Sequence, residues 1–220
     1  MKLAIGIPIT NRNVDRDFFL SFSVMDKPSY TLLAPSNEIY SHPVDIAAAR
    51  NGLVGQALKS GADVLIMMDT DQVYPVDTVN KLVDALDYYH AVGAVVHRRY
   101  PPFNPLLLRG TLGKYERVPD DQAYSGGVIS IDATGCGCIA YRMDVFKQID
   151  APWFELIPND NGRPVGEDIR FCHKMKCAGL TIGAVTSLQV DHLTTFTVDR
   201  ATHELFTHMR GKQNGNVQKR

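Results

Sequence analysis

The apolar run Val64–Met68 constrains the fold of this chain more than any other segment, because turn-forming residues bound it. It is short and continuous, which is typical of a buried strand. Asp69-Thr70-Asp71 follows it directly, and Tyr74-Pro75 comes soon after. The sequence therefore predicts a buried strand that ends at a pair of aspartates.

The spacing of these aspartates indicates a ligand site. Two carboxylates two positions apart, on the loop that leaves a strand, can both face one open site. Carboxylate oxygens suit Mg²⁺ or Mn²⁺, and such an ion can bind a diphosphate. Aspartates are also common where strands end in turns. Asp69 and Asp71 alone are therefore also compatible with a capped turn that binds no ligand.

Strand-like and helix-like segments alternate along the chain, which favours an α/β fold with a largely parallel sheet. We expect one domain over residues 1–210 and a flexible C-terminal tail over residues 211–220. The predicted strands span residues 2–9, 30–34, 64–68, 91–96, 128–132, 136–141 and 181–190. The predicted helices begin near Ser41 or His42 and near Pro75, and span residues 143–149 and 167–178. The other long segments are predicted to be a loop or an irregular helix over residues 11–30, a loop with short strands over 98–121, and a loop over 151–166.

The composition excludes several classes of protein. Hydrophobic content of 45% and charged content of 21% over 220 residues are ordinary for a globular domain. The formal net charge of −1 argues against a nucleic-acid binder, and no apolar run approaches the roughly 20 residues of a transmembrane helix. The four cysteines lack zinc-site spacing, so we expect buried free thiols. With no export signal, these thiols predict a cytoplasmic protein.

Acidic and imidazole side chains recur where strands end or helices begin. Ligands of open α/β sheets bind outside the carboxyl ends of the strands, so these clusters are expected to converge on one crevice. Asp71 and His192 would offer an oxygen and a nitrogen to one metal ion, and Asp168 is well placed for a general base. Acidic residues in a first helical turn also simply favour the helix dipole. The clusters are Asp69 with Asp71, Glu167 with Asp168, and Asp191 with His192.

The order of these motifs resembles the glycosyltransferase A (GT-A) fold, and within it the family 2 glycosyltransferases. The resemblance covers roughly residues 3 to 195. It implies a single-domain, Rossmann-like α/β fold with a mixed, mostly parallel central sheet. The motifs are Ile5-Gly6-Ile7-Pro8, Ala49-Arg50-Asn51, Met68-Asp69-Thr70-Asp71, Thr134-Gly135-Cys136-Gly137, Arg142, Trp153-Phe154, Gly166-Glu167-Asp168 and Val190-Asp191-His192.

The resemblance implies a metal-dependent hexosyltransferase that uses a nucleotide-diphospho-sugar, with UDP- and GDP-sugars expected first, and Mn²⁺ or Mg²⁺ as cofactor. By this resemblance Asp71 binds the metal directly, and Asp69 lies near the donor ribose or a metal-bound water. His192 is a further metal ligand. Asp168 is the base of an inverting transfer, while Glu167 holds an acceptor hydroxyl or orients Asp168. The acceptor itself is not indicated.

Other residues are expected around the donor and the acceptor. The resemblance places Pro8 and Arg50 near the nucleotide, and we expect Thr70 and Gly135 to contact the nucleotide sugar, since glycine allows close approach of the backbone. Trp153, the only tryptophan, either stacks on an acceptor sugar or anchors its loop in the core.

Several interpretations stay open at this point. Arg98 and Arg99 either contact phosphate or acceptor or form a solvated pair. The segment from Asn11 to Tyr30 is longer than the turn usual in the family, so the base-reading residue is undecided, with Glu38 and Asp45 as candidates. The alternatives to a glycosyltransferase are a nucleotide-sugar-binding scaffold without turnover and a sugar-phosphate nucleotidyltransferase. The latter usually has a Gly-rich phosphate loop, where this chain reads Pro8-Ile9-Thr10-Asn11.

Overall fold

The structure is a computed structural model that describes residues 1–9, 13–35, 45–158, 164–195, 199–205 and 207–208. Residues Glu38, Ser41 and His42 and the predicted tail over residues 211–220 lie outside these ranges. No helix in the described part of the chain is both long enough and apolar enough to cross a membrane.

The elements alternate between strands and helices, as the sequence predicts. The strands are β1 (Leu3–Gly6), β2 (Tyr30–Leu33), β3 (Val64–Met68), β4 (Gln72–Val73), β5 (Ala91–Val96), β6 (Leu107–Thr111), β7 (Lys114–Arg117), β8 (Val128–Ile131), β9 (Ala133–Thr134), β10 (Cys138–Arg142), β11 (Ile157–Pro158), β12 (Pro164–Val165) and β13 (Ile182–His192). The helices are α1 (Arg16–Val24), α2 (Ile46–Ser60), α3 (Thr78–Ala85), α4 (Asp120–Ala123), α5 (Val145–Gln148) and α6 (Glu167–Cys177).

The central sheet is mixed and mostly parallel. Its order is β2-β1-β3-β10-β5-β13-β4, and β8 pairs with β13 off this path. Strands β1, β2, β3, β5 and β13 run in one direction, whereas β10, β4 and β8 run in the other. The carboxyl ends of β1, β3, β5 and β13 therefore meet at one edge of the sheet, together with the start of β10.

The buried residues form one hydrophobic cluster on each face of the sheet. Alternate side chains of β3 divide between them, with Leu65 and Met67 in one cluster and Ile66 in the other. Helices α2 and α6 contribute to the first cluster, and α1 and α3 to the second. The prediction of a fully buried central strand is confirmed, because all five residues of β3 are buried.

The structure corrects three local predictions. Residues 16–24, expected in a loop or an irregular helix, form the regular helix α1, which Asp15 caps through the backbone N–H of Asp17. Helix α2 begins at Ile46 rather than near Ser41 or His42, because the Asp45 carboxylate accepts from the N–H of Ala47. Cys177 is exposed, unlike the other three cysteines, which are buried; all four are free thiols.

Candidate functional site

A cleft of about 570 Å³ opens at the edge of the sheet where the carboxyl ends of the parallel strands meet. Its size is in the range of small-ligand sites. Loops after β1, β3 and β5, the end of β13, the loop before β10, and the first turns of α2 and α6 build its walls. The lining residues are Pro8, Ile46, Arg50, Asp69, Thr70, Asp71, Gln72, Val96, His97, Arg98, Arg99, Leu106, Gly135, Cys136, Gly137, Glu167, Asp168 and His192.

Arg50 joins three elements at the floor of this cleft. Its side chain is only 5% exposed, and Nη2 donates to both carboxylate oxygens of Asp69 at 3.1 Å. Nη1 donates to Oε1 of Glu167 at the start of α6. Burial opposes the charge of Arg50, but Asp69 and Glu167 raise the pKa of the guanidinium, which stays a cation. Arg50 therefore neutralises two acids of the cleft rather than standing free for a ligand.

The loop after β3 is held against the loop before β10. The carbonyl oxygen of Gly137 accepts from the N–H of Asp69 at 2.8 Å and from the hydroxyl of Tyr74 at 2.9 Å. The same hydroxyl lies 2.7 Å from the carbonyl of Asp69. A Cβ at position 137 would clash with Nε2 of the buried Gln72, so any larger residue would displace that side chain.

Asp71 and His192 meet because β4 and β13 pair, with Gln72 opposite His192. Nδ1 of His192 lies 2.6 Å from the carbonyl of His97, and a carbonyl can only accept, so Nδ1 carries a hydrogen. Nε2 therefore points toward Oδ2 of Asp71 at 3.4 Å. The lone pair on Nε2 of a neutral His192 would repel the carboxylate of Asp71. The contact is favourable only if His192 is protonated or if a cation lies between the two atoms.

The electrostatics of this pair agree with that geometry. Burial disfavours a charged imidazole, but hydrogen bonds to Asp71 and to the His97 carbonyl raise the pKa of His192. Burial likewise opposes ionisation of Asp71, and the contacts with His192 and Arg99 lower the pKa of its carboxyl. Oδ1 of Asp71 is buried and has no hydrogen-bond partner among the described residues.

A divalent ion fits this donor set. One carboxylate with a partnerless oxygen and one imidazole nitrogen supply two ligands, and Mg²⁺ or Mn²⁺ commonly takes its remaining oxygens from phosphate and water. In the part of the chain that the structure describes, no cluster of three or more His, Cys, Asp and Glu side chains could hold a metal ion. Both carboxylate oxygens of Asp69 accept from Arg50, and each keeps a lone pair for one further donor.

Asp168 lies in the first turn of α6, on the cleft wall beside Gly135. Its Oδ1 accepts from the N–H of Ile169 at 2.7 Å, and a Cβ at position 135 would lie 3.5 Å from its Oδ2. Burial raises the pKa of Asp168, and burial also raises the pKa of Glu167 against the pull of Arg50. A carboxylate with a raised pKa is a stronger base, which suits proton abstraction near neutral pH.

The structure brings nine of the ten predicted site residues into this one cleft. They are Pro8, Arg50, Asp69, Thr70, Asp71, Gly135, Glu167, Asp168 and His192. Trp153 does not line it. Its indole Nε1 donates to the carbonyls of Phe146 at 3.1 Å and Ile149 at 2.9 Å, and its ring packs edge-on against Phe146. These contacts favour the interpretation in which Trp153 anchors its loop, while stacking on an acceptor sugar stays a prediction.

We expect Trp153→Phe to lower the free energy of unfolding by about 1–2 kcal/mol, because phenylalanine keeps the ring contact but leaves two carbonyls without their donor. Donor affinity should match that of the wild type, since the side chain lies outside the cleft. Urea unfolding followed by circular dichroism and nucleotide titration measure the two quantities. A marked loss of ligand affinity with unchanged stability would contradict this assignment.

Comparisons with known proteins find similarity in structure but not in sequence. No family model matches the chain, and no curated protein matches it. The A197 protein from STIV superimposes with a TM-score of 0.59 at 17% identity, covering 89% of this chain and 87% of that one. GalNAc-T7, solved with UDP, GalNAc and Mn²⁺, superimposes with a TM-score of 0.56 at 13% identity, covering 89% of this chain and 43% of that one. The fold is that of the GT-A glycosyltransferases.

Three partners in the GT-A cleft were not predicted from the sequence. Arg50 pairs with Asp69 and Glu167. His97 orients His192 through its backbone carbonyl. Arg99 binds Oδ2 of Asp71 at 2.8 Å. The signal for Arg99 was present in the sequence, because residues that follow a parallel strand lie at the same sheet edge as Asp71.

Proposed function

We propose that this protein transfers a hexosyl group from a nucleotide-diphospho-sugar to an acceptor hydroxyl, with inversion, as a family 2-like glycosyltransferase. One observation carries the proposal. In a GT-A fold, the Asp71–His192 pair and the Asp168 carboxylate line the same cleft. A site for a diphosphate and a base for a hydroxyl are the two parts that such a transfer requires.

Asp71 and His192 are proposed to hold Mn²⁺ or Mg²⁺. The bound ion would supply Lewis-acid stabilisation of the negative charge that grows on the departing nucleoside diphosphate. His192 is prepared for this role, because the His97 carbonyl fixes the hydrogen on Nδ1 and leaves Nε2 facing Asp71. Asp69 is held by Arg50 and is proposed to contact the donor ribose or a metal-bound water.

Asp168 is proposed to accept the proton of the acceptor hydroxyl as that oxygen attacks the anomeric carbon. The proton passes to the carboxylate, the new glycosidic bond forms, and the bond to the diphosphate oxygen breaks. Attack from the side opposite the leaving group inverts the anomeric centre. Glu167 faces Arg50, so it fixes the start of α6 and thereby orients Asp168.

The proposed donor is a UDP- or GDP-sugar, with Pro8, Thr70 and Gly135 along its path in the cleft. Residues 1–210 are proposed to be the catalytic domain. A cytoplasmic location stays a prediction from the sequence.

The test is nucleotide-sugar binding by calorimetry across UDP-, GDP-, CDP- and dTDP-sugars, with Mn²⁺, with Mg²⁺ and with chelator. We expect one nucleotide class to bind in a metal-dependent way, and Asp71→Asn to weaken that binding by about 100-fold or more. Asp191→Asn is the matched control, because Asp191 is an exposed carboxylate next to His192 that does not line the cleft.

Binding that is indifferent to chelator and to Asp71 would contradict the metal site. Metal-dependent binding without hydrolysis or transfer of the sugar would favour the scaffold alternative. Consumption of a sugar phosphate and a nucleoside triphosphate would favour the nucleotidyltransferase.

A further inference from the structure

Arg99 occupies the carboxylate that the proposed metal ion would use. Nη1 of Arg99 donates to Oδ2 of Asp71 at 2.8 Å, and the same oxygen lies 3.4 Å from Nε2 of His192. The other oxygen, Oδ1, is buried and has no hydrogen-bond partner among the described residues. In this state a guanidinium therefore partly balances the charge of Asp71.

This ion pair is easily broken. The side chain of Arg99 is 56% exposed and that of Asp71 is 36% exposed, and solvent-exposed pairs of this kind change an equilibrium by only a few-fold. The contrast with Arg50 is informative, because the Arg50 side chain is 5% exposed and bonded to two carboxylates. Arg50 is fixed in the floor of the cleft, whereas Arg99 can leave its partner.

The backbone keeps Arg99 at the cleft when its side chain leaves Asp71. Arg99 follows β5 in a short loop that the N–H of Arg98 closes by donating to the carbonyl of Asn104 at 3.0 Å. Both arginines line the cleft, but the Arg98 guanidinium donates to the Tyr100 hydroxyl at 2.7 Å and has no contact with Asp71. A guanidinium released from Asp71 thus remains attached to a loop that lines the cleft.

Charge determines where the released guanidinium goes. A divalent cation at Asp71 and His192 repels Arg99, whereas a nucleoside diphosphate in the same cleft brings several negative oxygens. Guanidinium binds phosphate through paired, charge-assisted hydrogen bonds. We propose that Arg99 binds the diphosphate of the donor. In the free protein Arg99 pairs with Asp71, and donor binding moves its guanidinium to the diphosphate. This inference rests on the proposed function, which assigns Asp71 to the metal.

This movement of Arg99 predicts that Arg99→Ala changes the affinities for Mn²⁺ and for nucleotide in opposite directions. In Arg99→Ala, the free protein should bind Mn²⁺ about fivefold more tightly, because a competing cation is gone. In saturating Mn²⁺, it should bind UDP or GDP about tenfold more weakly, because a charge-assisted bond to phosphate is lost. Arg98→Ala is the matched control and should leave Mn²⁺ affinity unchanged. Arg99→Lys keeps the charge without the paired donors and should lie between Ala and wild type in both measurements.

Water-proton relaxation measures Mn²⁺ binding even when it is weak, and calorimetry measures binding of UDP and GDP. Equal Mn²⁺ affinities in wild type and Arg99→Ala, with nucleotide binding intact in the wild type, would overturn the inference alone. So would a loss of both affinities, which is the mark of a merely structural residue. A wild type that binds none of UDP, GDP, CDP and dTDP would overturn the proposed function and the inference together.

Discussion

Replacing Asp168 by Asn is expected to lower the rate of sugar transfer by about 10²- to 10⁴-fold, the usual contribution of a positioned general base. Asparagine has nearly the same shape and can still accept from the N–H of Ile169, so donor affinity should stay close to that of the wild type. Initial rates at saturating donor, together with nucleotide titration, separate the two effects. Equal losses in rate and in donor affinity would argue that Asp168 binds the donor instead.

The pH dependence gives a second readout of the same residue. Because burial raises the pKa of Asp168, the carboxylate is protonated, and cannot accept a proton, over a wider acidic range than an ordinary aspartate. The transfer rate of the wild type should therefore rise as pH increases through this raised pKa. The residual rate of Asp168→Asn should not show this rise. A wild-type rate that does not change over the acidic range would contradict the assignment.

The raised pKa also has a consequence for stability. An acid whose pKa is higher in the folded state than in the unfolded state makes folding less favourable once pH exceeds the folded pKa. Asp168 should thus destabilise the protein at neutral pH, and Asn at this position should leave the midpoint of thermal unfolding unchanged or raise it. A variant that is less active and at least as stable cannot owe its lost activity to unfolding.

Replacing Arg50 by Met is expected to lower the free energy of unfolding by roughly 3–5 kcal/mol, because it leaves Asp69 and Glu167 without the cation that neutralises them. Methionine fills much of the same volume, so most of the effect comes from charge rather than from a cavity. Urea unfolding at neutral pH measures the loss. Adding Glu167→Gln to Arg50→Met should recover part of it, since one of the uncompensated carboxylates becomes neutral.

Arg142→Met is the matched control for Arg50→Met. Arg142 also pairs with an aspartate, Asp144, but both side chains are more than 40% exposed. An exposed pair contributes less than about 1 kcal/mol, so this variant should unfold nearly as the wild type does. Similar losses in the two variants would contradict the role of burial in the Arg50 network.

The sequence was most informative where one physical signal dominated. The apolar run at β3 and the residues that follow it predicted a buried central strand and a site at its carboxyl end. Parallel strands place their carboxyl ends at one edge, so the convergence of Asp71 and His192 on one cleft follows from topology. Asp168 follows β12, which lies outside the central sheet, so the edge rule does not account for its position.

The sequence was least informative about which charges pair. Arg50 lies 117 residues from Glu167 and 19 from Asp69, and no local pattern reports bonds across such separations. The role of Trp153 is hidden for the same reason. Its position in a loop is compatible with a ligand contact, and only the structure shows that the carbonyls of Phe146 and Ile149 accept its hydrogen bonds. Residues 16–24 were misread because their apolar residues lack a clear helical period, although Asp15 marks the start of α1.

The antiparallel strand β10 has a consequence for the order in which the chain folds. It lies between β3 and β5, so these two strands form no ladder with each other. During synthesis β1, β2 and β3 can pair as soon as residue 68 is available, but β5 cannot join them until residues 138–142 have emerged. Edges of β3 and β5 stay unpaired in the interval, which exposes strands that can aggregate. The two halves of the cleft are thus joined late, by a strand that lies outside the site and whose preceding loop lines it.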